Sequence, residues 1–563
     1  MATAVAAPGA WDRLVDQFFD DNYFPFHPTF GTHAGFHRYD TQLEDYSRAG
    51  VEAEVKSLQQ VRGKIGGFHG GDLSAEQQSD RELLLHRIDG QLLELEQIRE
   101  WEKNPDRYAS GITYSAFLIM SRKFAPPDER LRSLIARERQ MPKVFGAARA
   151  NLKNPPKIYI QVALQQLPGI IRFFQQDVPA AFKEVQNRKL LDEFNASNQA
   201  VIDGLSAYGK WLEDDLLPRS NGDFRIGAEN YRKKLLYDEM VDTPLDELLK
   251  LGHADLRRNQ QWLKETAARI DSSKTPQQVL AEFQTNYPPP DKLLQTVRDM
   301  FGDLRGFIER AHIVTIPSPV LPIVEETPPF MRALTFASMD TPGPYEHTAK
   351  EAFFNVTLPE KDWTPEHVHE FMAQFNYDTL TSVSTHEAYP GHYVQFLWVQ
   401  DAPSKVRKLV GCASNAEGWA HYSEQMMLDE GYGKPAHGGS DDKYLKLRLG
   451  QLQDALLRDA RYIVGIEMHT GKMTCEQAVD FFVTQGYQSR AVAETETKRG
   501  TSDPTYLVYT LGKLEILKLR DDYQQKMGAK FNLQEFHDEF LKQGYPPVKI
   551  IRKAMLGDES PVL

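Results

Sequence analysis

The stretch Thr385-His386-Glu387-Ala388-Tyr389-Pro390-Gly391-His392 decides how the rest of the chain is read. A His-Glu pair followed closely by a second His is the chemistry of a zinc peptidase helix. Its usual form, H-E-x-x-H, sets the two His four residues apart on one face. Here His392 follows His386 by six residues. On a regular helix that interval turns the two side chains about 120° apart. Pro390-Gly391 is the natural device for absorbing the two extra residues. Proline lacks the N–H that would bond back to His386 and disfavours α geometry at Tyr389, while glycine accepts almost any backbone conformation. A kink or bulge inside an otherwise helical run would return His392 to the face of His386.

Two His and a Glu do not complete a metal site, because zinc takes a third protein ligand and keeps one position open. The best candidate is Glu417, in the run Asn415-Ala416-Glu417-Gly418-Trp419-Ala420-His421-Tyr422. In this reading His386, His392 and Glu417 hold zinc, and Glu387 is the general base on a zinc-bound water. Successive helical residues diverge by about 100°, so His386 and Glu387 cannot both face one small ion.

These runs, together with Tyr509-Thr510-Leu511-Gly512, resemble the bacterial family catalogued as domain of unknown function 885, over roughly residues 15 to 555. The resemblance implies a gluzincin-like metallopeptidase of largely helical fold. It also implies the metal roles of His386, His392 and Glu417 and the base role of Glu387. Tyr509 matches the family's Tyr and would stabilise the oxyanion of a tetrahedral intermediate. Tyr506, one turn earlier on the same face, is a substrate-binding candidate. Arg461 and His469 match a family segment of the form Arg…His, although Gly465 and Glu467 stand where Asp and Gly are usual. His469 would hydrogen-bond a transition-state oxygen, or serve packing alone. His421, one turn after Glu417, would reach the site or the substrate. Arg520 would hold a peptide carboxylate, a group that guanidinium suits.

Composition sets the outer bounds. At 563 residues the chain exceeds the usual size of one hydrophobic core, and 41% hydrophobic with 11% aromatic content suits a folded globular protein. The net charge of −13, from 79 acidic and 66 basic residues, argues against nucleic acid as a partner. Cys412 and Cys475 have no metal-like spacing and read as packing residues. No apolar run reaches the roughly 18 residues of a membrane span. Met1 to Ala10 is a run of small residues, so cytoplasm stays open, as does periplasm or secretion if a signal peptide has been removed.

Along the chain, helices are predicted at 127–150, 156–175, 178–206, 228–240, 244–271 and 275–285, broken by Pro and Gly. Ser74 with Gln77 and Thr474 with Gln477 read as capping boxes, and Thr364-Pro365 as a helix start. After Tyr287-Pro288-Pro289-Pro290 and a helix at 291–311, the runs 313–316, 321–324, 334–336 and 352–358 are the strand candidates. The last of these would offer an edge to an extended substrate, or form a small structural sheet. His33 and His37 are four apart, but Gly31 and Gly35 disfavour a helix there and no Glu follows His33. His367 and His369 point to different helix faces, and His437 sits in a glycine-rich loop. None reads as a ligand.

The sequence therefore predicts a mainly α protein: a large helical, zincin-like metallopeptidase with a deep central cleft and a small β-sheet next to the metal helix. It divides as a helical N-terminal half, 1–285, and a catalytic half, 286–563. The expected activity is zinc-dependent hydrolysis of peptide bonds, with short peptides as substrates. The alternatives are a zinc hydrolase of other amides, such as N-acyl amino acids, and a non-catalytic peptide-binding protein.

Overall fold

Helices start where the sequence supplies an acceptor for their free N–H groups. Ser74 with Gln77 and Thr474 with Gln477 form reciprocal caps, and Thr364 accepts from the His367 amide ahead of Pro365. The computed structural model describes residues 9–328, 332 and 336–563. The fold is mainly helical, with one small sheet. Two predicted segments divide. Residues 127–150 become Pro127–Glu138 and Met141–Asn151, and the long helix after Val178 runs Arg188–Trp211, capped by Asn187.

The helices that build the site region are α1 (Asp106–Ser121), α2 (Leu245–Ile270), α3 (Leu293–Arg310), α4 (Tyr377–Glu387) and α5 (His392–Val399). They continue with α6 (Ala413–Asp429), α7 (Asp441–His469), α8 (Arg490–Ser502) and α9 (Val508–Met527). The sheet comprises β1 (Ile323–Glu326), β2 (Ala337–Asp340) and β3 (Phe353–Val356) in the order β1-β3-β2. β3 pairs parallel with β1 and antiparallel with β2. Phe301 of α3 packs edge-on against both Phe354 of β3 and Tyr389 of the α4–α5 connection, so sheet and connection share one support.

Two expectations about this region change. The segment 352–358 contains the central strand, paired on both sides, and has no edge to offer a substrate. The strand beside the metal helix is β2, packed against α4. The β-branched run 313–316 is not a strand: Ile313 and Val314 are core residues, and Thr315 bonds Asp538 through its N–H and hydroxyl, at 2.8 and 2.6 Å. Leu334 and Thr335 lie outside the described residues.

The packing does not divide at 285. Leu248, Leu256 and Leu263 of α2 share one buried cluster with Leu449, Leu456 and Ile463 of α7 and Leu511 of α9. Val406, Leu409 and Val410 close a cluster whose other buried members are N-terminal residues such as Phe18 and Trp101. Buried ion pairs cross the same line, Arg407 to Asp80 at 2.7 Å and Lys513 to Asp255 at 2.8 Å. Breaking one partner of such a pair leaves a buried charge, at about 3–5 kcal/mol. Among the described residues, no helix is long and apolar enough to cross a membrane.

Candidate metal centre

The connection between α4 and α5 is a break rather than a bulge. α4 ends at Glu387 and α5 begins at His392, so the four residues between them are a turn. The Gly391 amide bonds the Thr385 carbonyl at 3.0 Å, folding the turn back onto α4. A Cβ at Gly391 would overlap the His386 carbonyl oxygen, so only glycine fits there. The Tyr389–Pro390 peptide is cis. Trp419 of α6, fully buried, donates its indole N–H to the Pro390 carbonyl at 2.9 Å. The turn brings the His386 and His392 rings to 4.9 Å between centroids, nearly perpendicular.

Glu417 reaches both rings because α6 and α9 touch backbone to backbone. A Cβ on Gly418 would strike the Gly512 backbone, and one on Gly512 would strike the Ser414 carbonyl. The Glu417-Gly418-Trp419 and Tyr509-Thr510-Leu511-Gly512 runs are thus two sides of one contact. Glu417 supplies the carboxylate, Gly418 and Gly512 the close approach, Trp419 the tie to the turn, and Tyr509 a ring stacked on His386 at 6.3 Å.

The geometry fits a metal. Among the described residues, His386, His392 and Glu417 form the one such cluster, with ligand atoms within 4.8 Å of one another. Glu417 Oε2 lies 3.2 Å from His386 Nε2 and 3.4 Å from His392 Nε2. Tetrahedral zinc at its usual bond lengths separates neighbouring ligand atoms by about 3.3 Å. Two imidazole nitrogens and one carboxylate oxygen are a donor set that zinc accepts.

His386 is braced from behind. Its Nδ1 lies 2.7 Å from Glu424 Oε1, and Glu424 is itself held by His421 Nδ1 at 3.1 Å and Arg458 Nη2 at 3.1 Å, all buried. Burial opposes the charge on Glu424, but Arg458 foremost, then His421 and His386, keep its carboxylate far below the usual range. Burial also opposes charge on His386, yet its hydrogen bonds to the Glu417 and Glu424 carboxylates lift it to about 9. His421 moves the other way: burial, with Lys513 nearby, lowers it to about 3, so it stays neutral. Sequence reasoning missed Glu424 and Arg458. The signal was present in Glu417-x-x-x-His421-x-x-Glu424, three polar residues at helical spacing on one face of α6.

Glu387 is half-buried at the end of α4, which packs against β2, and the Met339 amide favours its charge. Burial raises its pKa, countered by His392 and His386. Tyr509 is buried, and its hydroxyl accepts from Arg499 Nη2 at 3.1 Å. Burial and Glu417 raise its pKa, so the phenol keeps its proton.

Four sequence candidates fall elsewhere. His421 touches the ligands only through Glu424 and, with no exposed surface, cannot meet a substrate. His469 contacts the Gly500 carbonyl at 2.8 Å and packs on Phe224 and Tyr231; along α7 it stands about 16 Å past Arg458. Tyr506 precedes α9 instead of lying on it, and is fully buried against Gly465 and Gly500. Arg520, three turns along α9 from Tyr509, donates to the Tyr422 hydroxyl at 3.2 Å. Helical periodicity fixed the face of each residue but not the neighbour that face meets. Of the histidines set aside as ligands, His37 lies between Asp40 and Glu346, His367 stacks on Trp363, and His369 meets the Tyr287 hydroxyl.

No curated protein matches this sequence. Among solved structures, one described as a lipoprotein of unknown function from Shewanella oneidensis is 26% identical, with a TM-score of 0.79 over 98% of this chain and 100% of that one. Another, described as a lipoprotein from Colwellia psychrerythraea, shares the fold at 17% identity, with a TM-score of 0.81 over 98% of this chain and 99% of that one. The model of the family described as bacterial protein of unknown function, DUF885, matches residues 28–555, and the chain belongs to that family.

Proposed function

We propose that the protein is a zinc-dependent peptidase acting on short peptides. The observation that carries this reading is the convergence of His386, His392 and Glu417, with Glu417 Oε2 at 3.2 and 3.4 Å from the two Nε2 atoms, all ligand atoms within 4.8 Å of one another, and Glu387 beside them. When bound, zinc supplies Lewis acidity toward a carbonyl oxygen and a water. The remaining work belongs to side chains of this chain. The Glu387 carboxylate takes a proton from the attacking water, whose oxygen bonds to the carbonyl carbon. As the C–N bond breaks, Glu387 passes that proton to the leaving amine. The Tyr509 hydroxyl donates to the oxygen that gains negative charge, and Arg499 holds the phenol in place. α4 carries Glu387 against β2, whose Met339 amide favours the carboxylate's charge, and an extended peptide backbone would run along that strand.

Access favours small substrates. The side chains of His386, His392 and Glu417 are 7%, 12% and 27% exposed, so a slender extended chain reaches them and a folded surface does not. The test is to incubate zinc-loaded protein with a mixed peptide library and with N-acyl amino acids, then identify products by mass. The expected result is peptide fragments, lost with a chelator and reduced roughly 10²-fold in Glu387→Gln. Cleavage of N-acyl amino acids alone would move the assignment to another amide. Peptide binding without turnover would make the protein a binding protein.

A further inference from the structure

A cavity of about 310 Å³ opens directly beside the metal centre. Its walls come from parts of the chain far apart in sequence: Tyr114 and Phe117 of α1, Met339 of β2, Phe396 and Val399 of α5, and Tyr545. Two contacts tie it to the site. The Phe396 ring lies nearly parallel to the His392 ring, with centroids 5.8 Å apart, and Met339 belongs to β2, which packs against α4, the helix that ends at Glu387. Tyr545 closes the far side of Phe396 edge-on at 5.5 Å.

The lining decides what fits. Apolar surface outweighs polar on these walls, to which His33, Ser338, Thr341 and Asn355 also contribute, and the volume lies at the small end of ligand pockets. The charged groups at the margin are engaged elsewhere: Asp340 pairs with Arg122 at 2.7 Å, and Lys408 turns to the Gln400 carbonyl and the Tyr345 ring. Tyr114 is 44% exposed, an aromatic ring left open at the cavity.

Building on the peptidase reading, we infer that this cavity is the specificity pocket and receives an aromatic or large aliphatic side chain from the residue next to the cleaved bond. The pocket spans both halves of the chain, so α1 helps select the substrate while the chemistry sits on α4, α5 and α6. Phe396 links the two, because the ring that lines the pocket also backs a metal ligand.

The test compares peptides carrying Ala, Leu, Phe or Glu at each position around the cleaved bond, with zinc-loaded wild type and Tyr114→Ala. Tyr114 is exposed, so its truncation leaves the fold intact. Wild type should prefer Phe or Leu over Ala and Glu at one position by about tenfold or more. Tyr114→Ala should lower kcat/KM for the Phe peptide about tenfold, chiefly through KM, and leave the Ala peptide within about twofold. Equal loss on both peptides, no wild-type preference, or a preference for Glu overturns the inference. If zinc-loaded wild type cleaves no peptide, the peptidase reading fails, and the pocket is judged by titration with phenylalanine and alanine hydroxamates. Tighter binding of the phenylalanine probe, lost in Tyr114→Ala, supports the pocket; equal affinities reject it.

Discussion

His386 and His392 present the same atom to Glu417 and are held in opposite ways. Behind His386 stands a buried chain of charge, Glu424 with Arg458 and His421. Behind His392 no such partner stands among the described residues: its Nδ1 is buried without a hydrogen bond, and its ring rests against Phe396. One imidazole is oriented electrostatically and the other by packing. A carboxylate behind a histidine raises its basicity and fixes its tautomer. A ring beside it fixes orientation alone, but connects it to whatever fills the neighbouring cavity. On the proposed reading, the first histidine would set metal affinity and the second would sense substrate.

Substitutions can break this contrast in graded steps. The largest effect is expected from Gly391→Val, which must open the turn that brings the two rings together; zinc affinity should fall more than about 100-fold by competition with a chelator. Glu424→Ala comes next. It should weaken zinc roughly 10- to 100-fold and, by stranding Arg458, destabilise the fold by about 3 kcal/mol in denaturant unfolding. Phe396→Leu keeps an apolar contact behind His392 and should weaken zinc less than about tenfold while altering KM more. Equal effects of Glu424→Ala and Phe396→Leu on zinc would erase the distinction between the two histidines.

The smallest effect lies outside the site and asks whether its electrostatics are local. Burial opposes charge on His37, but Asp40 and Glu346 raise its pKa from 6.5 to about 9. A raised His contributes stability that is full below pH 6.5 and lost as pH climbs through 9. His37→Gln should flatten that slope, shifting Tm by less than about 2 °C because the pair is partly exposed. Zinc affinity at neutral pH should not change.

The gathering of His386, His392 and Glu417 was legible in the sequence because these residues carry spacing that ordinary helices do not need: a Pro-Gly interruption, and a Glu beside a Gly. The structure adds the reason for each, since Gly391 clears the His386 carbonyl and Gly418 clears Gly512. Glu424 and Arg458 were hidden because charged residues on helices usually face water, and only the packing of α7 on α6 buries them. His469 and Arg520 were misplaced for a related reason: each lies about three turns along its helix from the site, and a helix carries residues past a site as readily as into it, whereas Tyr506 lies ahead of α9 and not on it. The strand beside α4 was also out of reach, because β2 is short, with Ser and Asp among its four residues, and carries little strand signal.

The most direct test of the account is zinc stoichiometry measured on three proteins after identical zinc loading and dialysis: wild type, Glu387→Gln and Glu417→Ala. Wild type and Glu387→Gln should each retain about one zinc per chain, since Glu387 is a base and not a ligand, and Glu417→Ala should lose most of its metal. Zinc lost from Glu387→Gln and kept by Glu417→Ala would contradict the assignment of base and ligand.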